Sequence, residues 1–319
     1  YSSRGVKGFV MNRFNPGRRA TLSALLATPF LSLKVQAQGS DWPNRPVRVV
    51  VPWPPGGGAD TTARMIFPKL AQKLGQPFVI ENRPGASGSI GAAEVARSAP
   101  DGYTLLHDAT PLAINPFLLR VSFDALVDLK AVFLPMQVPM LLVMNPAQAP
   151  KSLAEVIALA KARPGSLDWA SSGNGSAQHL ALELFTRAAG ITVNHVPYRG
   201  MPPAVTDLVA GHIPVLITTM PSAAGVVREG RVRLLAYTAP GAPEGSPPAP
   251  TVKEAGIDYE SDIWWGLFGP RGLPPEILAR VNLGANTALA DPEMAKLLQT
   301  EGARPSPATP QAFAEILRV

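Results

Sequence analysis

The sequence predicts an α/β fold made of two units joined by crossover segments. Three observations carry this. Short β-branched runs alternate with stretches of helical spacing, which implies βαβ units and a parallel sheet covered on both faces. The chain has 319 residues, and a prior of about 150 residues per domain gives two domains, with a sizeable core. Apolar stretches at Val132 to Val143 and Trp264 to Phe268 stand where the chain would leave the first unit and re-enter it. Two crossovers make a hinge, and a cleft between hinged units is a ligand site.

The elements follow in order. Val47 to Val51 is a β-branched strand stopped by a Pro/Gly loop. Asp60 to Leu74 places Ala63, Ile66, Phe67, Leu70, Ala71 and Leu74 at helical spacing. Phe78–Ile80 is a strand, Ile90 to Ala99 a helix and Thr104–Leu106 a third strand. After Asn145-Pro146 a second series starts: helix Ser152–Lys161, strand Leu167–Ser171, helix Ala177–Ala189, strand Val193–Val196, helix Pro203–Ala210 and strand Val215–Thr218. Arg233–Tyr237 is a further strand, and 239–250 is a Pro/Ala/Gly-rich surface loop. Two helices follow the Trp264 strand, Pro275–Ala288 and Pro292–Leu298. The second has Asp291 as its cap and Pro at its first position.

The net charge of +6 invites a nucleic-acid or anionic-membrane reading. Its location excludes that reading. Arg4, Lys7, Arg13, Arg18, Arg19 and Lys34 lie in residues 1–40 with no acid. Removing them leaves 23 basic against 23 acidic residues, scattered along the rest. From Met11, the expected initiator, the segment has a secretory layout: basic Arg13, Arg18 and Arg19, apolar Ala20 to Leu33, and cleavage after Val35-Gln36-Ala37. Residues 1–37 are therefore expected to be an N-terminal extension and signal peptide, using the Sec or the twin-arginine route. With no cysteine, disulfides, thiolate metal sites, Cys nucleophiles and a lipoprotein anchor are excluded.

Loops after strands are where ligands bind in open α/β sheets. The first such loop is Pro52-Trp53-Pro54-Pro55-Gly56-Gly57-Gly58-Ala59-Asp60. Its glycines let backbone N–H groups turn inward, and the following helix N-terminus favours an anion such as a carboxylate. It lacks the Gly-Lys-Ser/Thr ending of a phosphate loop. Asp60 reads as a helix cap. A second loop is Asn82-Arg83-Pro84-Gly85-Ala86-Ser87-Gly88. A third is Ser171-Ser172-Gly173-Asn174-Gly175-Ser176, with His179 on the next helix. Ser176 reads as a cap that is compatible with ligand contact. No Gly-x-Ser-x-Gly occurs, and a Ser176–His179 dyad lacks an acidic orienter. The four His residues show no metal spacing.

These motifs, taken together, resemble those of the Bug-type periplasmic solute receptors of tripartite tricarboxylate transporters, the TctC-like family. The matching stretches include Trp42–Arg48, Val51–Gly57 with Asp60, Glu81–Ala86, Pro100–Leu106, Ile114-Asn115-Pro116, Gly173–Ser176 with His179-Leu180, Val196–Gly200, Thr206-Asp207-Leu208, Pro250-Thr251-Val252 and Trp265-Gly266-Leu267. The resemblance covers nearly all of residues 42–317. It implies a type II periplasmic-binding-protein ("Venus flytrap") fold. Domain 1 would comprise 42–140 plus 265–319, and domain 2 would comprise 141–264. It also implies a receptor, and no enzyme, that holds a small carboxylated solute for a membrane permease of this transporter type. A monomeric periplasmic protein without cofactor, metal or nucleic acid is expected.

Carried over by position, the ligand-binding residues are Pro54, Gly56, Gly57, Asn82, Thr110, Ser172, Gly173, Ser176, His179 and Asp207. Three departures from the family pattern stand out. Pro214 replaces a usual Asp, and Pro202 replaces a small residue. The chain ends at Val319, short of a typical family C-terminus, so a helix on domain 1 is expected to be lacking. The alternatives are a secreted serine hydrolase using Ser176 and His179, and a ligand-sensing domain that signals to a membrane partner.

Overall fold

The computed structural model describes residues 41–306 and 308–318. The leader expected over 1–37 lies outside the described residues. No helix among the described residues is long and apolar enough to cross a membrane.

The first half of the chain gives β1 (Val47–Val51), α1 (Gly58–Leu74), β2 (Phe78–Asn82), a 3-10 turn (Ala86–Gly88), α2 (Ser89–Ala96), β3 (Thr104–Ala109), α3 (Pro111–Leu118) and the 16-residue β4 (Leu129–Met144). Next come α4 (Leu153–Ala162), β5 (Asp168–Ser171), α5 (Ala177–Ala189), β6 (Asn194–Pro197), α6 (Met201–Ala210), β7 (Val215–Thr219), α7 (Met220–Arg228) and β8 (Arg233–Tyr237). The chain then runs through β9 (Asp262–Pro270), α8 (Pro275–Leu289), α9 (Pro292–Thr300), β10 (Arg304–Pro305) and α10 (Pro310–Ile316).

Ten strands form one sheet in the order β2-β1-β3-β9-β4-β7-β5-β6, with β10 and β8 also on β4. β4 serves two half-sheets. Its first part, to Pro139, pairs β9 and β10; its last part, Met140–Met144, pairs β7 and β8. The register on β9 shifts twice, between Ala131 and Phe133 and between Phe133 and Met136. Buried Thr238 fastens the two crossing segments. Its hydroxyl accepts from Met140 N at 2.8 Å, and its own N–H donates to Met140 O. All the described residues fall in one contact unit.

The expectation of a parallel sheet holds for the βαβ strands of each half and fails where the crossover strands β4 and β9 join them. β1–β2, β1–β3, β5–β6 and β5–β7 are parallel, whereas β9 runs antiparallel to β3 and β4, and β4 antiparallel to β7. The physical reason is that β9 returns from the second half, entering the first sheet from the opposite end. The helix expected to Ala99 stops at Ala96, where the Ser98 hydroxyl takes up Val95 O.

The core forms where the period-2 and period-3.6 apolar faces meet. Val47, Val49 and Val51 of β1 pack with Ala63, Ile66, Phe67 and Leu70 of α1 in one buried cluster. In the second half, Trp169 of β5 packs on Phe185 of α5, and Phe185 on Tyr259. α10 seats Phe313 against Trp264 and Phe268.

Candidate ligand-binding site

Between the two half-sheets lies a chamber of about 30 Å³ that shares the wall residues Trp53, Pro54, Ser172 and Gly200 with a larger one of about 460 Å³. Five helices begin at the inner chamber. Its wall holds Gly58 and Ala59 of α1, Pro111 of α3, Ala177 and Gln178 of α5, Met201 of α6 and Ser222 in the first turn of α7. Each N-terminus carries roughly half a positive charge, and its first-turn N–H groups lack intrahelical partners, save where proline supplies none: Pro111 of α3, Pro202 and Pro203 of α6 and Pro221 of α7. Trp53, Ile263 and Trp265 supply apolar wall. The outer chamber adds the second glycine loop, Tyr198 and one charged side chain, Arg199.

The first glycine loop is braced by a buried carboxylate. Asp60, 3% exposed in the first turn of α1, accepts from Gly56 N (2.9 Å), Arg64 Nε (2.9 Å) and Asn82 Nδ2 (3.0 Å). Asn82 also donates to Trp53 O. Burial pushes the Asp60 carboxyl up, but Arg64, the Gly56 N–H and Asn82 outweigh it and hold the group below the usual carboxylate range. Asp60 thus pulls the loop back onto its own helix. The cap position itself belongs to Gly57.

Hydroxyls and imidazoles brace the loop at 172–176. The Ser176 hydroxyl accepts from His179 N as the cap of α5. Gly175 N donates to His179 Nδ1 at 3.1 Å, and Glu183 Oε1 lies 3.6 Å from His179 Nε2. His195 of β6 stacks on His179, centroids 4.1 Å apart, and its Nε2 lies 2.7 Å from Ser171 Oγ, which accepts from Gly173 N. Burial and the neighbouring His179 push the His195 imidazole down, against an opposing pull from Glu183.

The two halves meet directly across the cleft. A Cβ on Gly58 would lie 2.8 Å from the Trp265 ring and 2.9 Å from Ser222 Oγ, and one on Gly200 would lie 2.6 Å from Pro54. These glycines permit an approach that any side chain would block. Ser87 Oγ donates to Asn174 O, joining the second and third glycine loops. Pro202 sits over the first loop, 3.8 Å from a Cβ position on Gly56.

The structure brings Pro54, Gly57, Ser172 and Gly173 onto the chamber walls. Gly56 and Asn82 stand behind them, in the Asp60 network. Ser176 and His179 hold the third loop from within. Thr110 joins β3 to β9, its hydroxyl accepting from Trp264 N, between the wall residues Ala109 and Pro111. Asp207 sits on α6 away from the wall and accepts from the Tyr198 hydroxyl (2.6 Å) with His212 beside it. Burial and the Asp207 bond push that hydroxyl up to about 12. Sequence reasoning missed Trp53, Gln178, Ser222, Ile263 and Trp265 as wall. The missing signal for Ser222 was α7 itself, whose sequence opens on Met-Pro and holds Gly225. The proposed dyad does not form: the Ser176 hydroxyl bonds the His179 backbone, not its ring.

Two buried titratable neighbours end β3. His107 is fully buried, its Nε2 3.1 Å from Thr62 Oγ1, and burial pushes it down to about 3 against an opposing pull from Asp60. Asp108 is equally buried and accepts from Trp53 Nε1 at 2.8 Å.

The family described as "Tripartite tricarboxylate transporter family receptor" matches residues 62–318. Protein BugT of Bordetella pertussis is 37% identical over 295 residues, covering 91% of this chain and 90% of BugT. The structure of R. palustris Rpa4515 with adipate is similar at TM-score 0.83 and 33% identity, covering 87% of this chain and 94% of that one. MatC from Rhodopseudomonas palustris with bound malate is similar at TM-score 0.81 and 32% identity, covering 87% and 96%. The fold is that of the two-domain periplasmic binding proteins, and the chain belongs to the tripartite tricarboxylate transporter receptor family.

Proposed function

We propose that this protein is a periplasmic receptor that closes on a small carboxylated solute and delivers it, as a monomer, to a permease of the tripartite tricarboxylate type. The observation that carries the reading is the convergence of five helix N-termini on one chamber between the half-sheets. Such a chamber favours an anion through backbone dipoles, with no cationic clamp required. The similar structures that hold adipate and malate support a carboxylate. The closing bodies are 42–140 plus 265–319 and 141–264, hinged where β4 changes partners and Thr238 fastens the return. Pro54, Gly57, Ser172 and Gly173 contact the solute. Gly56, Asn82, Thr110, Ser176, His179 and Asp207 hold the contacting loops in place. The receptor performs no chemistry on its cargo: Ser176, the nucleophile of the hydrolase alternative, is committed to its helix. Export follows from the leader at 1–37.

Thermal-shift screening against di- and tricarboxylates, acidic amino acids and aromatic acids tests this. A ligand at 100 times its Kd stabilises by about 2.7 kcal/mol. A folded sample that shifts with none of them would sink the reading. Gly57→Asp puts a carboxylate on the chamber wall and should abolish binding while the melt stays cooperative.

A further inference from the structure

Asp108 ends β3 behind the cleft, and the functions given so far to the neighbouring residues leave it unexplained. Its side chain is 1% exposed. Oδ1 accepts from Trp53 Nε1 (2.8 Å) and from Ala109 N (2.7 Å), and Oδ2 has no partner. A Cβ on Gly88 would lie 3.4 Å from both carboxyl oxygens and 3.3 Å from the Trp53 ring. Trp53 and Gly88 are wall of the outer chamber, and Trp53 and Ala109 are wall of the inner one. The carboxyl therefore stands directly behind the wall of both chambers.

We propose that Asp108 couples solute binding to proton uptake: the cleft takes an anionic group against Trp53 and Gly88 together with a proton on Asp108. The proposal rests on the carboxylate reading above. A solute atom touching Trp53 or Gly88 is about two atomic layers, roughly 7 Å, from the carboxyl. At an effective dielectric of about 20, two unit negative charges at that separation weaken binding by about fifty-fold. A proton on Asp108 removes the penalty.

That proton is available near neutrality, because burial pushes the carboxyl up to about 7 against the lowering bonds from Trp53 and Ala109. A bound anion raises it further. Affinity is therefore full below about pH 7 and falls as pH rises through the interval between the free and bound values, by up to about tenfold per pH unit.

Most charged groups on elements packed against β3 have other partners. β1 brings Arg48, paired with Glu81 and with Glu94 of α2. α1 brings Asp60 with Arg64, Lys69 with Glu293, and Lys73 in its last turn. β9 brings Asp262, paired with Arg304. β3 itself brings His107, on Thr62. α3 and the turn Ala86–Gly88 carry no titratable side chain.

The test is calorimetric titration of adipate into wild type and Asp108→Asn, from about pH 6.5 to about pH 9, in two buffers of different ionisation heat. Wild type should take up a fraction of a proton on binding and lose at least tenfold in affinity across the range. Asp108→Asn keeps an acceptor for Trp53, so its indole fluorescence should match wild type, while its affinity stays flat and its proton uptake vanishes. Flat wild-type affinity with no uptake, or an unchanged slope in Asp108→Asn, overturns the proposal while leaving the receptor reading intact. If Asp108→Asn does not fold, uptake by wild type above about pH 8, beyond the ordinary imidazole range, decides. Absence of acid binding by folded wild type removes the receptor reading and this proposal together.

Discussion

The loop at 54–58 and the loop at 172–176 face each other across the cleft and both open onto helix N-termini, yet they are braced differently. The first hangs on one buried carboxylate that collects three donors. The second rests on two hydroxyls and two stacked imidazoles: His179 Nδ1 accepts from Gly175 N, and His195 Nε2 lies 2.7 Å from Ser171 Oγ. A carboxylate held below its usual range keeps its charge through mild acid. An imidazole that serves as an acceptor loses that role once protonated. The Asp60 brace of the first loop therefore holds its charge in mild acid, whereas the His195 brace of the second does not keep its neutral form.

The largest effect should come from the carboxylate. Asp60→Ala strands the Gly56 and Asn82 donors and should cost about 3 kcal/mol in urea unfolding, with solute binding lost. Binding at wild-type strength would mean that the loop holds its shape without Asp60. A smaller effect separates the two braces by pH. Because the folded His195 value lies below the ordinary one, its contribution is complete above about pH 6.5 and declines as pH falls through the folded value. Hydrogen exchange at Gly173 should accelerate as pH falls below about 6.5 and His195 takes up its proton, while exchange at Gly56 keeps its protection after correction for intrinsic rate. In His179→Ala the second loop should exchange fast throughout. Equal acid response in both loops would erase the contrast.

Much of the fold could be read from residue pattern, because the pattern records burial. Val47–Val51 alternates little, as a strand covered on both faces does, and α1 shows its inner face in Ala63, Ile66, Phe67 and Leu70. What escaped were short helices with internal punctuation: α3, with Pro116 inside, and α7, with Gly225. The direction of β9 also escaped, since direction depends on where the chain has been and not on the strand's own residues. In the site, glycine loops were legible because a backbone that must turn inward excludes side chains. Trp265 and Ile263 were not, because a wall residue in a strand looks like core. The His179–His195 stack joins two elements 16 positions apart, and nothing local to either His announces the other.

The adjacency of His107 and Asp108 has a consequence for the stability of the whole molecule. Two neighbouring side chains, equally buried, titrate with opposite sign. His107 is neutral when folded and charged when unfolded between about 3 and its ordinary value, so it withdraws stability as pH falls from about 7 to about 4.5, by about 2–3 kcal/mol. Asp108 gains its proton in the folded state first, so across the same interval it returns about the same amount. The pair is a compensator: the acid slope of each hides that of the other. His107→Leu should unmask the carboxyl, giving a protein more resistant to urea at about pH 4.5 than at about pH 7. Asp108→Asn should leave the opposite slope. Two consecutive residues of one strand thus cancel each other's share of the acid response of the fold.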